Sequence, residues 1–407
     1  MKRIDFAIVF VVVGLVFQLI WYGMLWAGMI FHSDVDKPID FSIFYTAGRI
    51  ADLGHYYQLY DLQTQLAVQE ALLNRSLRVE ELLPFNHPPL LVPILQIICT
   101  SNYLVSYWRW VGVMICFLVV ICFLINRLLG SMGWGRWERA YFLAALMLFF
   151  PLFASLLKGQ DTAFLLLGGT LWIYGMVVKK DNVAGLGLAM TVIRPQIALV
   201  LSIPFLFNRQ RVWWWFCTGA AGLALYSLAL VGFGGIRDFI HLMVVSAAGE
   251  GYGMIQNHMF NFTGMMLRMF PQVNVGLVHG LAWGLFLAVI IGLSVIWRLT
   301  SRIQLWHLVL AACLSVFAAP HLHSHDLAFL LLPVLVTSLI ITRCKPSQSK
   351  FGPAVLPVAA SLVLLFAEIW DPLLFTVPYL LMLALSALAW FYETRRSPER
   401  IHLIQTM

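Results

Sequence analysis

The sequence predicts an all-α polytopic membrane protein. Hydrophobic residues make up 61% of the 407 positions and charged residues only 11%, whereas a soluble domain has a charged fraction of about 25%. The mean hydropathy is +0.85. The apolar residues also fall into long segments, many of which approach or exceed the roughly 20 residues that cross a bilayer as a helix. Together these observations exclude an ordinary soluble protein.

The first apolar segment, 6–30, follows Lys2 and Arg3. It is longer than the apolar core of a cleaved signal peptide, which is usually about 7 to 15 residues. We therefore expect it to remain as a membrane helix. Further spans are predicted at 103–125, 140–157, 163–178, 212–231, 276–297, 303–319, 327–341, 354–366 and 373–391.

Two apolar segments are short or interrupted. Residues 88–98 form about half a span, and residues 183–207 are split by Arg194-Pro195-Gln196. We expect the split segment to form two short helices that enter and leave on the same side, because such a turn at membrane depth needs a cover of protein or water. The sequence thus predicts a single domain, 1–407, with about 11 to 13 transmembrane or half-spanning helices.

The distribution of basic residues predicts the orientation of the chain. Threading the segments through a bilayer puts most of the 26 Lys and Arg residues on the side that holds both termini. Since Lys and Arg mark cytoplasmic loops, we expect cytoplasmic termini, including a tail at 392–407. The long loops 31–87 and 232–275 then lie on the outer side. This bias explains the net charge of +7, and no nucleic-acid partner is expected.

The six cysteines show no disulfide or metal-binding spacing. They lie in or at the edges of apolar segments, as expected for small buried side chains, at positions 99, 116, 122, 217, 313 and 344.

The first outer loop contains signals for two short helices. Residues 40–53 have amphipathic spacing and end at Gly54, and Asp61 is suited to cap a second helix. Such helices suit a membrane interface, where aromatic rings lie at headgroup depth, although a purely structural collar has the same pattern. The loop ends at His87-Pro88-Pro89. His87 is a candidate contact at the lip of a cavity or a solvated interface histidine.

Asp40 is the candidate general base. It lies a few residues beyond the first span, where a carboxylate at the bilayer surface can take a proton from a hydroxyl. The same position also suits a solvated flank or a helix N-cap. The residues alone leave these roles open.

Two basic residues are candidate phosphate ligands. Lys158 lies in a short outer turn, against the positive-inside trend, where it can meet a phosphate or pair with Asp161. Gln160, in the same turn, is a candidate substrate contact. Arg194 interrupts an apolar stretch, which costs several kcal/mol unless the charge faces a cavity or a partner. It can bind phosphate oxygens, with Gln196 adding an amide contact to the substrate.

A histidine-rich turn concentrates three imidazoles at His321, His323 and His325, just before Asp326. We assign His321 and His325 to the phosphate and His323 to the substrate. Metal binding and a hydrated turn are the alternatives. The spacing matches no specific catalytic-metal signature, so no metal ligand is assigned and metal dependence stays open.

In their order along the chain, several motifs resemble those of glycosyltransferase family 87, whose members are polyprenyl-phosphate-sugar-dependent membrane enzymes of the GT-C type. The motifs are Asp40-Phe41, Tyr45-Thr46-Ala47-Gly48, His87-Pro88-Pro89, Gly159-Gln160 and Arg194-Pro195-Gln196. The resemblance implies a GT-C bundle with interface helices in the first outer loop. It also implies a periplasmic active site at a bacterial inner membrane, with Asp40 as the base and Tyr45 near the substrate.

The resemblance further implies an inverting transfer of a hexose, with mannose as the first expectation, to a lipid or glycan acceptor in cell-envelope synthesis. No cofactor is expected. The acceptor hydroxyl loses its proton to Asp40, and the polyprenyl phosphate leaves towards Lys158, Arg194 or a histidine. Two alternatives stay open: a transporter or flippase of a lipid-linked saccharide, which also uses split helices, and an outer-face polysaccharide ligase with a histidine base.

Overall fold

The computed structural model describes residues 5–31, 40–248, 259–344, 349–370 and 376–394. Every regular element within these ranges is helical, which confirms the all-α prediction. The α-helices are α1 (Phe6–Phe31), α2 (Phe41–Asp52), α3 (Leu62–Leu73), α4 (Val92–Ile98), α5 (Tyr103–Ser131), α6 (Arg136–Met147), α7 (Phe150–Lys158), α8 (Thr162–Val177), α9 (Asp181–Met190), α10 (Pro195–Ser202), α11 (Gln210–Ala248), α12 (Phe262–Met269), α13 (Val275–Leu299), α14 (Leu305–Phe317), α15 (Leu331–Cys344), α16 (Val355–Trp370) and α17 (Val377–Thr394).

The helix lengths are those of a polytopic membrane protein. Within the described ranges, 7 helices are long and apolar enough to cross a membrane, and the count is 8 if α6 and α7, which are bent by 49°, form one span. Shorter apolar helices of 10–17 residues accompany them. The short helix α8 and the span Ser324–Cys344 are largely buried inside the bundle.

The predicted break at Arg194 is present. The chain leaves α9 through a short 3-10 turn, Thr191–Ile193, and α10 begins at Pro195. Proline fits the first position of a helix, because its missing N–H would have no partner there. Arg194 itself is the residue that precedes α10 and is only 7% exposed. The break therefore brings a charged side chain into the interior of the bundle.

The predicted second outer loop, 232–275, is partly helical. α11 continues through the predicted end of its span to Ala248, with a kink at Gly232, which has φ 68° and ψ 178°. Glycines at 232, 234 and 235 lower the helix propensity of this stretch, and Gly232 takes the non-helical backbone at the kink. Residues 233–248 instead form a helical wall. Residues 249–258 of the predicted loop lie outside the described ranges.

The two helices of the first outer loop form as predicted. Asp61 caps α3 by accepting a hydrogen bond of 2.8 Å from the Thr64 backbone N–H. α2, however, is mostly buried within protein, and its surface side carries Arg49 and Asp52. Its aromatic face packs on α5, with the Phe44 ring centroid 5.3 Å from that of Trp110. Gly48 permits close packing on α4, because a Cβ there would lie 2.5 Å from the sulfur of Cys99.

Candidate active site

A cavity of about 870 Å³ lies where the first outer loop, the α7–α8 turn, the α9–α10 break and the histidine turn meet. All the predicted site residues except Tyr45 line it. Its polar part contains Asp40, Asn86, His87, Lys158, Gln160, Arg194, Gln196, His321, His323, Ser324, His325, Asp326 and Glu368. Its apolar part includes six residues of α11 and α13, which are Phe239, Ile240, Met243, Val244, Trp283 and Phe286.

Asp40 directs its carboxylate to the cavity. It occupies the N-cap position of α2, but its side chain makes no capping hydrogen bond. Instead, the Gln160 side-chain amide donates to Asp40 Oδ2 over 2.9 Å, and His325 Nδ1 lies 3.8 Å from the same oxygen. The Asp40 side chain remains 36% exposed. The carboxylate is therefore held on one side and accessible on another.

Gly159 explains why Asp40 and Gln160 meet. It follows α7 with a left-handed φ of 70°, a conformation that glycine adopts at little cost. A Cβ at this position would lie 2.6 Å from the Cβ of Phe41. The Gly159 carbonyl also accepts a 2.8 Å hydrogen bond from the Trp110 indole of α5. The absence of a side chain thus lets the start of α2 pack directly on the α7–α8 turn.

Arg194 lies between two buried aspartates. Its Nη2 is 2.9 Å from Asp161 Oδ1, and its Nε is 3.0 Å from Asp326 Oδ1. The two carboxylates are at most 4% exposed, and pairing offsets the cost of burying all three charges. The three groups together carry one net negative charge. A phosphate at Arg194 would have to compete with these carboxylates for the guanidinium.

His87 joins the same network. Its Nδ1 lies 2.8 Å from Arg194 Nη1 and 3.1 Å from Asp161 Oδ2. Burial alone would raise the pKa of Asp161, but the neighbouring Arg194 charge and His87 outweigh it and hold that pKa well below its usual range. The imidazole also packs on Phe44, at 4.9 Å between ring centroids. The orientation of His87 in the cavity wall is therefore fixed.

The histidine turn is held from two sides. On one side, Gln196 donates a 3.0 Å hydrogen bond to the backbone carbonyl of His321. On the other, the side-chain amide of Asn261 donates 2.8 Å hydrogen bonds to the carbonyls of Ala319 and Pro320. The amide nitrogen of Gln196 is thus engaged by the protein backbone. Its second N–H and its side-chain oxygen are left for a substrate.

The three imidazoles of this turn are neighbours. The ring of His323 lies 4.7 Å from that of His321 and 5.8 Å from that of His325, between centroids. Burial lowers the pKa of His321 to about 4 and that of His323 to about 3, so both are neutral at pH 7. His325 Nε2 lies 3.6 Å from Asp326 Oδ2. Within the described ranges, no group of three or more His, Cys, Asp or Glu side chains is arranged to hold a metal ion.

Lys158 differs from Arg194 in its electrostatic environment. Its ammonium donates a 3.1 Å hydrogen bond to the hydroxyl of Ser324. No carboxylate of the described residues lies within 4.0 Å of it. Of the two cationic side chains that the described residues contribute to the cavity lining, Lys158 is therefore the one whose charge is not offset by an ion pair.

Tyr45 does not reach the cavity. It is 5% exposed, and its hydroxyl donates a 2.9 Å hydrogen bond to the carbonyl of Thr100. Its ring packs on Tyr103, at 5.2 Å between centroids. The geometry therefore does not support the expected substrate contact, because the side chain is used to join α2 to the α4–α5 connection.

Sequence reasoning did not assign roles to three carboxylates, Asp161, Asp326 and Glu368. A signal for the first two was available, because a buried Arg needs carboxylate partners and each aspartate directly follows a residue already assigned to the site. Glu368 stands within an apolar helix and lines the cavity. An ionisable residue inside a membrane span is itself a signal of function.

A comparison with known protein families identifies the chain. A sequence model described as glycosyltransferase family 87 matches residues 85–320, which is more than half of the chain. The matched region includes His87, Lys158, Gln160 and Arg194, while Asp40 precedes it. No curated protein and no solved structure matches the chain. The all-helical membrane fold and the extent of the family match lead to one conclusion: this chain belongs to glycosyltransferase family 87.

Proposed function

We propose that this glycosyltransferase moves a hexose, with mannose as the first expectation, from a polyprenyl-phosphate donor to a hydroxyl of a lipid or glycan acceptor, with inversion of configuration. The observation that carries the proposal is the presence in one cavity of an accessible carboxylate, Asp40, and an ammonium without an ion pair, Lys158. The first suits a general base. The second suits a phosphate leaving group.

The apolar wall of the cavity supports a lipid-linked donor. Ile240 and Val244 of α11 are 56% and 63% exposed, and Trp283 of α13 is 43% exposed, yet all three line the cavity. The wall is therefore continuous with the outer surface of the bundle, where apolar side chains meet lipid. A prenyl chain can lie along this wall while its phosphate remains at the polar part of the cavity.

Asp40 is the proposed base. The acceptor oxygen attacks the anomeric carbon as its proton passes to the Asp40 carboxylate, and the bond between that carbon and the phosphate oxygen breaks. A single displacement of this kind inverts the anomeric configuration. Gln160 contributes by holding one carboxylate oxygen, which restricts the orientation of the base.

Lys158 is the proposed principal partner of the departing phosphate. The negative charge that develops on the leaving group is stabilised by a fixed cation nearby, and the Lys158 charge is not offset by a carboxylate. His321 and His323 are neutral at pH 7 and donate hydrogen bonds without adding charge. We propose that Arg194 acts mainly by holding Asp161, Asp326 and His87 in place.

We also propose that the cavity lies on the outer face of a bacterial inner membrane, with both termini in the cytoplasm. The positive-inside rule supports this orientation, because most of the 26 basic residues fall on the opposite side of the bundle from the cavity when the chain is threaded through a bilayer.

The proposal is tested by incubating the purified full-length protein with prenyl-phosphate mannose, glucose and galactose and with membrane-lipid extract, followed by mass and NMR analysis of the product. We expect one hexose to be added with inverted configuration. Transfer from a nucleotide sugar alone, or retention of configuration, would contradict the proposal. Transfer of a preassembled oligosaccharide would favour the polysaccharide ligase.

A further inference from the structure

Glu368 is an acidic residue in an unfavourable local position. It lies near the carboxyl end of α16, within a segment, Gly352–Ile369, that is long and apolar enough to cross a membrane. The negative end of the helix dipole opposes an acid there, and every other side chain of the segment is uncharged. The helix itself therefore gives no stabilising reason for an acid at this position.

The packing of α16 on α7 brings Glu368 to the level of Lys158. The hydroxyl of Ser361 accepts a 2.8 Å hydrogen bond from the backbone N–H of Phe150, the first residue of α7. From this contact both helices run towards the cavity, which Lys158 and Glu368 both line. At about 1.5 Å per residue, Lys158 lies about 12 Å further along α7 and Glu368 about 10 Å further along α16.

The side chains of Glu368 and Lys158 face the same cavity without neutralising each other. Among the described residues, no hydrogen bond or ion pair engages the Glu368 carboxylate, and Lys158 has the Ser324 hydroxyl as its partner. Ser324 and Glu368 also line a small side pocket next to the main cavity. The cavity wall thus presents a carboxylate, a hydroxyl and an ammonium within one region.

This combination matches the chemistry of a sugar ring. A carboxylate accepts two hydrogen bonds at once, and adjacent ring hydroxyls offer two donors with suitable spacing. The ammonium and the hydroxyl supply donors for sugar or phosphate oxygens. In contrast, the Glu368 charge would repel a phosphate, so the phosphate is expected on the Lys158 side and the sugar on the Glu368 side.

We propose that Glu368 is a saccharide-binding residue that accepts hydrogen bonds from two adjacent hydroxyls of a sugar substrate. The inference rests on the proposed function, since it names a further substrate contact in the same cavity. The sugar belongs either to the donor or to the acceptor, and both present the same vicinal hydroxyls.

The test compares Glu368→Gln and Glu368→Ala with wild-type full-length protein in lipid nanodiscs. Glu80→Gln is the matched control, because Glu80 is exposed in the first outer loop and lies outside the cavity lining. Initial rates are measured while prenyl-phosphate mannose and an octyl mannoside acceptor are varied in turn. We expect the KM for one of the two substrates to rise by at least about fivefold, as for a lost hydrogen bond to a charged group, while kcat changes less.

The substrate whose KM rises identifies the sugar that Glu368 contacts. KM values for both substrates within about fivefold of wild type, in folded Glu368→Ala protein, would overturn the inference. Equilibrium binding of the two labelled probes provides a second readout that needs no turnover. Wild-type protein that binds a probe but transfers nothing would contradict the proposed reaction, whereas weaker binding of that probe by Glu368→Gln would still support the Glu368 site.

Discussion

Gln160 donates a 2.9 Å hydrogen bond to the carboxylate of Asp40, which lies 120 residues earlier in the chain. The contact links two short motifs that have no proximity in sequence. If Asp40 is the base, this hydrogen bond fixes the direction of its oxygens at the reacting hydroxyl. Loss of such positioning lowers the rate of the chemical step more than it weakens substrate binding.

We therefore predict that Gln160→Ala lowers kcat by about tenfold to a hundredfold, with a smaller change in KM. Gln63→Ala is the control, because Gln63 is an exposed residue of α3. The measurement is steady-state kinetics with a fixed donor. An unchanged kcat would show that the hydrogen bond between Gln160 and Asp40 has no part in catalysis.

The packing of Gly159 on Phe41 leads to a prediction about stability. Gly159→Ala adds the cost of a left-handed φ and a clash of 2.6 Å between Cβ atoms. Gly133→Ala is the matched control, since Gly133 has φ 81° but open space around its missing side chain. We expect the control to lose about 1 kcal/mol of unfolding free energy and Gly159→Ala to lose about 1 to 3 kcal/mol more. Thermal unfolding in detergent measures both, and equal losses would contradict the packing argument.

The buried ion pairs of Arg194 predict that substitutions of Arg194 and Asp161 have non-additive effects on the free energy of unfolding. Arg194→Met leaves two buried carboxylates without their cation, and we expect a loss of about 3 to 5 kcal/mol in unfolding free energy. The double variant Arg194→Met, Asp161→Asn also removes one of the two unpaired carboxylate charges, so it should recover part of this loss. A double-mutant cycle on thermal unfolding gives the coupling energy. Additive losses would show that the pair is not energetically linked and would favour a role for Arg194 at the substrate.

The low pKa values of His321 and His323 predict a loss of stability in acid. In the folded protein these pKa values are about 4 and about 3, against an ordinary value of 6.5. Above about pH 6.5 the two histidines are neutral in both the folded and the unfolded protein. Below about pH 6.5 they bind protons in the unfolded chain but stay neutral in the folded protein. Stability therefore falls as the pH drops from about 6.5 towards 4. The melting temperature of the His321→Gln, His323→Gln double variant should fall less over this range than that of wild type, and an equal fall would contradict the buried, neutral state.

Much of the helical bundle follows from the sequence because apolar segment length and proline position are local properties. The Arg194-Pro195-Gln196 break is an example, since a charge followed by a proline within an apolar stretch favours the end of a helix. The end of α11 was harder to predict. At Gly232 the backbone is non-helical, and a second helical segment follows directly after this kink.

The candidate site was predicted as separate residues and not as contacts. Asp40, Lys158 and the histidine turn all line the cavity, but periodicity carries no information on which side chains meet. Arg194 and Asp326 are 132 residues apart, and their ion pair depends on how α10 packs near the histidine turn. For Tyr45, the motif correctly predicts the helix, but the side chain packs on Tyr103 and does not reach the cavity.

The rate of sugar transfer by Asp40→Asn tests whether Asp40 is the general base. Asparagine keeps the shape of the side chain but cannot accept the proton. Asp52→Asn is the control, because Asp52 lies on the same helix, exposed and paired with Arg49. We expect Asp40→Asn to lose about 10²- to 10⁴-fold in kcat with substrate binding retained, and the control to keep its activity. Full activity in folded Asp40→Asn protein would contradict the assignment and move the base to a histidine such as His325.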